Sequence, residues 1–397
     1  MRILNVHNRH IGAGGTEMMF EAITRLLRSR GQEVISFEKD NRDLQTVWQK
    51  VNAFGSAVYS PSARREFARL LEAEKPDLVH AHNLYPQLSV SVLDACREVG
   101  MPVVLHVHDY KITCPTAQHI RNGRVCTECT GGKEHWCAIH NCRGSLPMSV
   151  AYALRNAFAR ASGKIHDAVS LYIGCSSFVR DLIVSNGYPA ERAIAIPNFF
   201  DLPPFSGRSS DGEYVAYIGR ISPEKGLDVL LEAAQQTRLP VRIAGDPTFM
   251  PGIEQRAPAN VTFVGKLNRA ATDAFLERAR MLVVPSVWWE AFGLVGVEAM
   301  SRELPVIASN MGGLPEVVDD GITGLLTPPN DAAALGAAMR RLWDDRALAR
   351  RMGLAGREKA ERLYTPNAYY QSLMRAYGRV AGHATRPMPR AEGRAVA

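Results

Sequence analysis

The chain holds 397 residues, 46% of them hydrophobic and 22% charged, with a formal net charge of +7. That length allows two domains of ordinary size, and the composition is that of a globular chain; no apolar run approaches the ~20 residues of a membrane span. A basic balance suits nucleic acid, an anionic membrane face or phosphorylated substrates, but no arginine-rich helix with interleaved aromatics appears, so no nucleic-acid partner is expected.

The N-terminus, Met1-Arg2-Ile3-Leu4-Asn5-Val6, enters a strand pattern without the apolar segment of a signal peptide. This predicts a cytoplasmic protein, and the positive charge is compatible with peripheral contact at the inner face of the cytoplasmic membrane. After a first strand at residues 2–7, Ile11-Gly12-Ala13-Gly14-Gly15-Thr16-Glu17 forms a glycine loop and opens an amphipathic helix to about residue 30. The loop is neither G-x-G-x-x-G nor a P-loop. It is either a tight turn or a place where Gly14 and Gly15 let backbone approach a ligand before a helix N-terminus. Residues 33–37 read as the next strand. Residues 77–82 and 103–109 are short apolar strands that end in polar residues. Ligands in open parallel sheets bind at the carboxyl ends of strands, which makes His82 and His108 candidates. His82 reads more readily as a structural histidine, and His108, followed by Asp109 and an unusual loop, as a functional one.

That loop carries five of the seven cysteines: Cys114, Cys126, Cys129, Cys137 and Cys142. Cys126 and Cys129 form a C-x-x-C pair flanked by Cys114 and Cys142, a spacing that could close a tetrahedral structural zinc site. Free thiols and redox chemistry are the alternatives. Four thiolates would leave no open position, so a catalytic zinc is not expected. The odd count makes Cys137 the bystander, with His135 and His140 nearby. Cys96 and Cys175 read as buried.

A helix at 149–161, a strand at 169–175, a helix at 176–186 and a short strand at 193–196 complete the first half. A Pro-, Gly- and Ser-rich stretch from Pro197-Asn198 to Gly212 reads as a linker. The strand–helix alternation then restarts, with strands at 214–219, 241–245, 261–264, 281–285, 305–308 and 324–327. Short loops between strands and helices predict parallel sheets covered on both faces. The fold class is therefore α/β, two tandem Rossmann-like domains. Residues 331–361 read as arginine-rich helix, 364–377 as a final helix and 382–397 as a disordered tail.

Two stretches of the second half carry chemistry. Arg220 and Lys225 share the loop between a strand and a helix, an anion site suited to a diphosphate. Glu290 and Glu298 bracket the turn through Gly293 that follows the strand at 281–285. At ~1.5 Å of rise per residue they stand up to roughly 12 Å apart. That is too far for a hydrolytic acid/base pair, which needs ~5–10 Å. It suits two contacts on one extended ligand, such as a nucleotide-sugar.

Glu290-Ala291-Phe292-Gly293-Leu294-Val295-Gly296-Val297-Glu298 resembles the E-x7-E motif of retaining GT-B glycosyltransferases of family 4, and Tyr217 to Gly226 resembles that family's phosphate-binding loop. Pro197-Asn198 and Gly14-Gly15 are similar to its domain-joining segment and N-terminal glycine loop. The likeness covers residues 1 to about 380. It implies an acceptor-binding domain at 1–200 with a cysteine-rich insert at 114–142, a donor-binding domain at 213–362, and a helix at 363–381 that crosses back to the first domain.

The resemblance also implies roles. Arg220 and Lys225 would neutralise the donor diphosphate, and Glu298 would hold the ribose. Glu290, with the N–H groups of Phe292, Gly293 and Leu294, would hold the sugar. Backbone around Lys266 and Leu267 would meet the base, His108 the sugar, and Gly14 and Gly15 the phosphates or the acceptor. No divalent cation is expected at the phosphates. The implied reaction moves a hexose-type sugar from a UDP- or GDP-linked donor to a polysaccharide or lipid-linked acceptor of cell-envelope or exopolysaccharide synthesis. A non-catalytic nucleotide-sugar-binding scaffold and a nucleotide-sugar epimerase are the alternatives.

Overall fold

The computed structural model describes residues 1–9, 14–41, 55–204, 207 and 212–381. Residues 11–13 of the glycine loop, most of the linker beyond residue 204 and the tail at 382–397 lie outside the described residues. The first sheet is built from β1 (Arg2–Arg9), β2 (Glu33–Asp40), β3 (Leu78–Ala81) and β4 (Val103–Val107). A two-stranded ribbon of β5 (Ile120–Arg121) and β6 (Arg124–Val125) interrupts it before β7 (Leu171–Gly174) and β8 (Ala193–Ala195). The second sheet takes β9 (Tyr214–Ile218), β10 (Val241–Ala244), β11 (Val261–Gly265), β12 (Ala279–Val284), β13 (Val306–Ser309) and β14 (Gly324–Thr327).

Both large sheets are six-stranded and wholly parallel, in the orders β2-β1-β3-β4-β7-β8 and β11-β10-β9-β12-β13-β14. The apolar runs behind β4 and β12 are buried at every position, as strands covered on both faces must be. The architecture is α/β and doubly wound. In each sheet the strand order reverses once, between β1 and β3 and between β9 and β12. Such switch points open a crevice at the carboxyl ends of their strands.

Those carboxyl ends are tied to each other. The Tyr110 hydroxyl, just beyond β4, donates to the Trp289 carbonyl beyond β12 at 3.0 Å. The Ser176 hydroxyl beyond β7 donates to the Ala291 carbonyl at 2.6 Å. Glu316 accepts from the Ser177 and Phe178 N–H groups at 2.8 and 2.7 Å, satisfying the first turn of helix Ser177–Ser185. The last helix, Pro366–Ala381, lies on the first sheet. Its Tyr369, Leu373 and Tyr377 share a core with Ile3, Leu78 and Val104.

Two local features differ from the sequence reading. The arginine-rich stretch is two helices, Ala332–Asp344 and Arg346–Leu363, because the Asp345 side chain accepts from the Leu348 N–H and starts a new helix. The cysteine loop contains the β5–β6 ribbon, turned by Asn122 and Gly123 at φ 51° and 71°. No helix among the described residues is long and apolar enough to cross a membrane.

Candidate active site

At the switch point of the second sheet, the loop after β9 meets the loop after β12. Gly226 makes this approach feasible: it sits at φ +73°, and a Cβ there would lie 1.9 Å from the Pro285 carbonyl oxygen. The backbone contact continues in the Val287 N–H, which donates to the Glu224 carbonyl at 3.0 Å. Lys225 is thereby delivered to Glu290, with Nζ 2.6 Å from Oε1, and Ser286 Oγ donates to the same oxygen at 2.5 Å. The other wall is Gly312, at φ +60°, where a Cβ would stand 2.3 Å from the Glu290 carbonyl oxygen. Burial pushes the Glu290 carboxyl up, but the Lys225 charge and the hydrogen bonds from Lys225 and Ser286 outweigh it. The group ends below the usual carboxylate range.

Arg220 does not join that pair. It is half exposed and bound to Glu224 at 2.6 Å, and Ser222 Oγ donates to the same Glu224 oxygen at 2.7 Å. Each cation of the expected anion site is therefore balanced by its own glutamate. A diphosphate entering here would compete with Glu224 for Arg220 and share Lys225 with Glu290.

Glu298 lies in helix Leu294–Met300 among different cations, Arg269 at 3.4 Å and Arg302 at 3.7 Å. Burial pushes its carboxyl up against the pull of Arg302 and Arg269. Arg269 opens helix Arg269–Glu277 just after Lys266 and Leu267, so the loop beyond β11 comes to Glu298. Lys266 is exposed and Leu267 half-buried. Gly293, at φ +100°, begins the Glu298 helix, with Phe292 buried before it and Leu294 as its first residue.

At the first sheet's carboxyl edge, Gly14 caps helix Gly15–Ser29, and its N–H donates to Glu17 Oε2 at 3.1 Å. Thr16 lines an open cavity with His82, Tyr85, His108 and Lys111. Every residue around that cavity belongs to the first half of the chain. The structure thus gathers the predicted residues at three places: Lys225 with Glu290, Glu298 beside the Lys266–Leu267 loop, and His108 beside the Gly15 helix.

His108 stands in a stack with His80, His82 and His106, which β3 and β4 place at alternate positions on one face. The hydrogen-bond network assigns the protons of His82 and His108. Thr24 Oγ1 donates to the Phe20 carbonyl and so must accept from Asn5 Nδ2 at 2.7 Å. That turns Asn5 Oδ1 to His82 Nε2 at 2.9 Å, and makes His82 Nε2 the donor. His82 Nδ1 is then the acceptor for His108 Nε2–H at 2.9 Å. His108 Nδ1 is left as a lone pair with no protein partner. Burial, above all, holds His80 and His108 down to about 3, so both imidazoles are neutral.

Among the described residues, His80, His82 and His106 are the group whose potential metal-ligand atoms come within 4.8 Å of one another, and the cysteines are not brought that close. The cysteines nevertheless form one cluster. Burial, then the charges of Cys114, Cys137, Cys142 and Cys126, push the Cys129 thiol up to about 12. Cys137, read from sequence as a bystander, is the most buried of the five, and the Cys142 N–H donates to its carbonyl at 3.1 Å. Cys129 and Cys137 share a small core with Ala153, against which Cys142 packs.

Sequence reasoning passed over Tyr110, Ser176 and Glu316, which join the two halves, and Arg269 and Arg302, which face Glu298. Only Glu316 carried a local signal, as an acid beside Gly312-Gly313-Leu314-Pro315.

Comparison with known proteins agrees with the fold. Residues 199–359 match the family model described as glycosyl transferases group 1, and residues 13–203 match glycosyltransferase family 4. A glycogen synthase of Mycobacterium tuberculosis is 31% identical over 322 residues, covering 77% of this chain and 70% of that protein. The fold is similar to that of sucrose-phosphate synthase from Thermosynechococcus elongatus, with TM-score 0.70, 20% identity, and 96% of this chain and 99% of that one covered. It is also similar to the Anabaena protein HepE crystallised with UDP-glucose, with TM-score 0.66, 20% identity, and 96% and 100% covered. With two parallel sheets meeting at their carboxyl edges and both family models matched in succession, the chain belongs to the group 1, family 4 glycosyltransferases of GT-B fold.

Proposed function

We propose that this glycosyltransferase moves a hexose-type sugar, with retention at the anomeric carbon, from a UDP- or GDP-linked donor to a polysaccharide or lipid-linked acceptor. The observation that carries the reading is the Lys225–Glu290 pair at the switch point of the second sheet, with Arg220 in the same loop. Arg220 and Lys225 take the diphosphate and stabilise the charge that develops as it leaves. Glu290, with the N–H groups of Phe292, Gly293 and Leu294, orients the sugar hydroxyls. Glu298 holds the ribose, and backbone at Lys266 and Leu267 meets the base. The bare Nδ1 of His108 accepts from a sugar hydroxyl, and Gly14 and Gly15 approach the phosphates or the acceptor.

In the transfer itself, the bond from the anomeric carbon to the diphosphate oxygen breaks, and the bond to the acceptor oxygen forms on the same face. The acceptor proton passes to the departing phosphate oxygen. No divalent cation is required at the phosphates, because two side-chain cations supply the electrostatic stabilisation. Contacts such as Tyr110 to Trp289 close the domains and limit hydrolysis by excluding water.

The cysteine cluster is proposed to clasp a structural zinc through Cys114, Cys126, Cys129 and Cys142, away from the chemistry. Cys137 competes for the fourth position by virtue of its burial beside Cys142. The test of the transfer is to incubate the protein with UDP-glucose or GDP-mannose and a panel of glycan and lipid-linked acceptors, then read the anomeric configuration of the product by NMR. A product of inverted configuration, or donor turnover confined to epimerisation, would overturn this reading.

A further inference from the structure

Helix Leu146–Ala161 turns an uncharged face outward. Leu146, Val150 and Leu154 recur every four residues and are 58%, 37% and 58% exposed. Pro147 and Ala161, the helix's other exposed positions, are apolar too. Ile139, on the adjoining helix His135–Ile139, is 63% exposed. Contiguous apolar exposure of this kind marks an interaction surface.

The inner face of the same helix contacts the segment that lines the cavity beside His108. Asn156 Nδ2 donates to the carbonyl of Lys111, a cavity residue, at 2.7 Å, and Arg155 donates to the Pro115 carbonyl at 2.7 Å. Beneath it, Ala153 packs on Cys129 and Cys137, which fasten the cysteine-rich insert to the helix.

The surroundings are basic. From Cys114 to Lys164 there are seven Lys and Arg against two acidic residues, a net of +5. Both acids are engaged, Glu128 with Arg121 at 2.8 Å and Glu134 with Arg160 at 2.7 Å. Of the five basic residues not paired with these acids, Arg124, Lys133 and Arg143 are exposed.

We propose that this face docks on an anionic lipid bilayer, inserting Leu146, Val150, Leu154 and Ile139 while the basic rim meets the headgroups. The cavity beside His108 then lies on the inner side of the docked helix, where a lipid-carried acceptor would be delivered. The placement rests on the acceptor being lipid-linked, as proposed above; the docking itself does not.

The experiment is flotation of the full chain with vesicles of phosphatidylcholine alone and with ~30% phosphatidylglycerol, alongside calorimetric binding of UDP-glucose and GDP-mannose to the same samples. The expected result is retention by the anionic vesicles, loss of it in high salt, and at least a tenfold loss in the double variant Leu146→Gln, Leu154→Gln. Donor binding by that variant should be unchanged, which shows that it folds. Equal flotation of variant and parent would overturn the proposal. So would failure of the parent to bind anionic vesicles, or a dimer in light scattering that the double variant dissolves. Vesicle binding without binding of either donor would leave the docking face standing and count against the transferase reading, and the reverse outcome would do the opposite.

Discussion

Lys225 and Glu290, 65 positions apart in the chain, form one nearly buried ion pair, with Nζ 2.6 Å from Oε1. Sequence motifs give the two residues separate partners on a donor, a phosphate and a sugar. The structure makes them one unit, in which the cation keeps the buried carboxylate charged and the carboxylate holds the cation at the crevice floor.

Lys225→Ala therefore does more than remove a phosphate contact. It strands a buried carboxylate, which should destabilise the fold by about 3 kcal/mol. Transfer should fall by about 10²–10³-fold, the scale of losing one preorganised charge stabiliser. Lys225→Met combined with Glu290→Gln should restore most of the stability and none of the activity. Urea unfolding and a donor-turnover assay separate the two effects; near-normal turnover in a folded Lys225→Ala protein would exclude the role.

Acid sensitivity should begin well above the carboxylate range. Burial, then charge on neighbouring imidazoles, lowers His80 to about 3 and holds His82 and His106 well below 6.5, while an unfolded histidine keeps 6.5. Below pH 6.5 the unfolded chain takes up protons that the folded chain refuses. Stability should therefore fall from pH 6.5 toward 3, by up to ~1.4 kcal/mol per pH unit for each histidine. Glu290 acts in a lower window: its depressed pKa contributes stability above about 4.5 that is lost as the pH falls through its folded value. Melting temperature followed from pH 8 to 4 should decline from about 6.5, and His80→Asn should flatten that decline. A flat curve between 6.5 and 5 would contradict the neutral stack.

Tyr110→Phe removes the hydrogen bond to the Trp289 carbonyl, next to Glu290. The expected cost is about 1 kcal/mol in stability and about a tenfold fall in turnover if the closed arrangement positions Glu290. Ser176→Ala, which frees the Ala291 carbonyl on the other side, should act in the same direction. Unchanged turnover in both variants would mean that these contacts only hold the domains together.

Elemental analysis should find about one zinc per chain, held by the cysteine cluster. Brief EDTA treatment should leave turnover intact, since no metal is required at the phosphates. Cys137→Ser and Cys126→Ser, compared for zinc content, identify the fourth ligand. A folded, fully active, metal-free preparation would return the cysteines to ordinary thiols, and immediate Mg-reversible inhibition would contradict a metal-free donor site.

Much of this architecture was legible because parallel strands buried on both faces read as short apolar runs, as at residues 103–105 and 281–284. The loop glycines were legible as well, though not for what they touch: Gly226 shows its purpose only against the Pro285 carbonyl. What stayed hidden were pairings across the chain. Tyr110 meets Trp289, and Glu316 caps a helix of the other domain; Tyr110 is not unusual in its own neighbourhood, and the glycines beside Glu316 mark a loop without naming its partner. The histidine stack was half visible, since alternate positions on β3 and β4 place the rings on one face, but Tyr377 against His80 at 2.7 Å required the last helix to return to the first sheet. The ribbon turned at Asn122-Gly123 carried a strong hairpin signal that the cysteines around it obscured.

The most direct measurement is calorimetric titration of UDP-glucose and GDP-mannose into the parent protein and into the Lys225→Met, Glu290→Gln variant. The account predicts saturable binding of one donor to the parent, without added metal, and its loss in a variant that unfolds like the parent. Equal donor binding by the two proteins would contradict it.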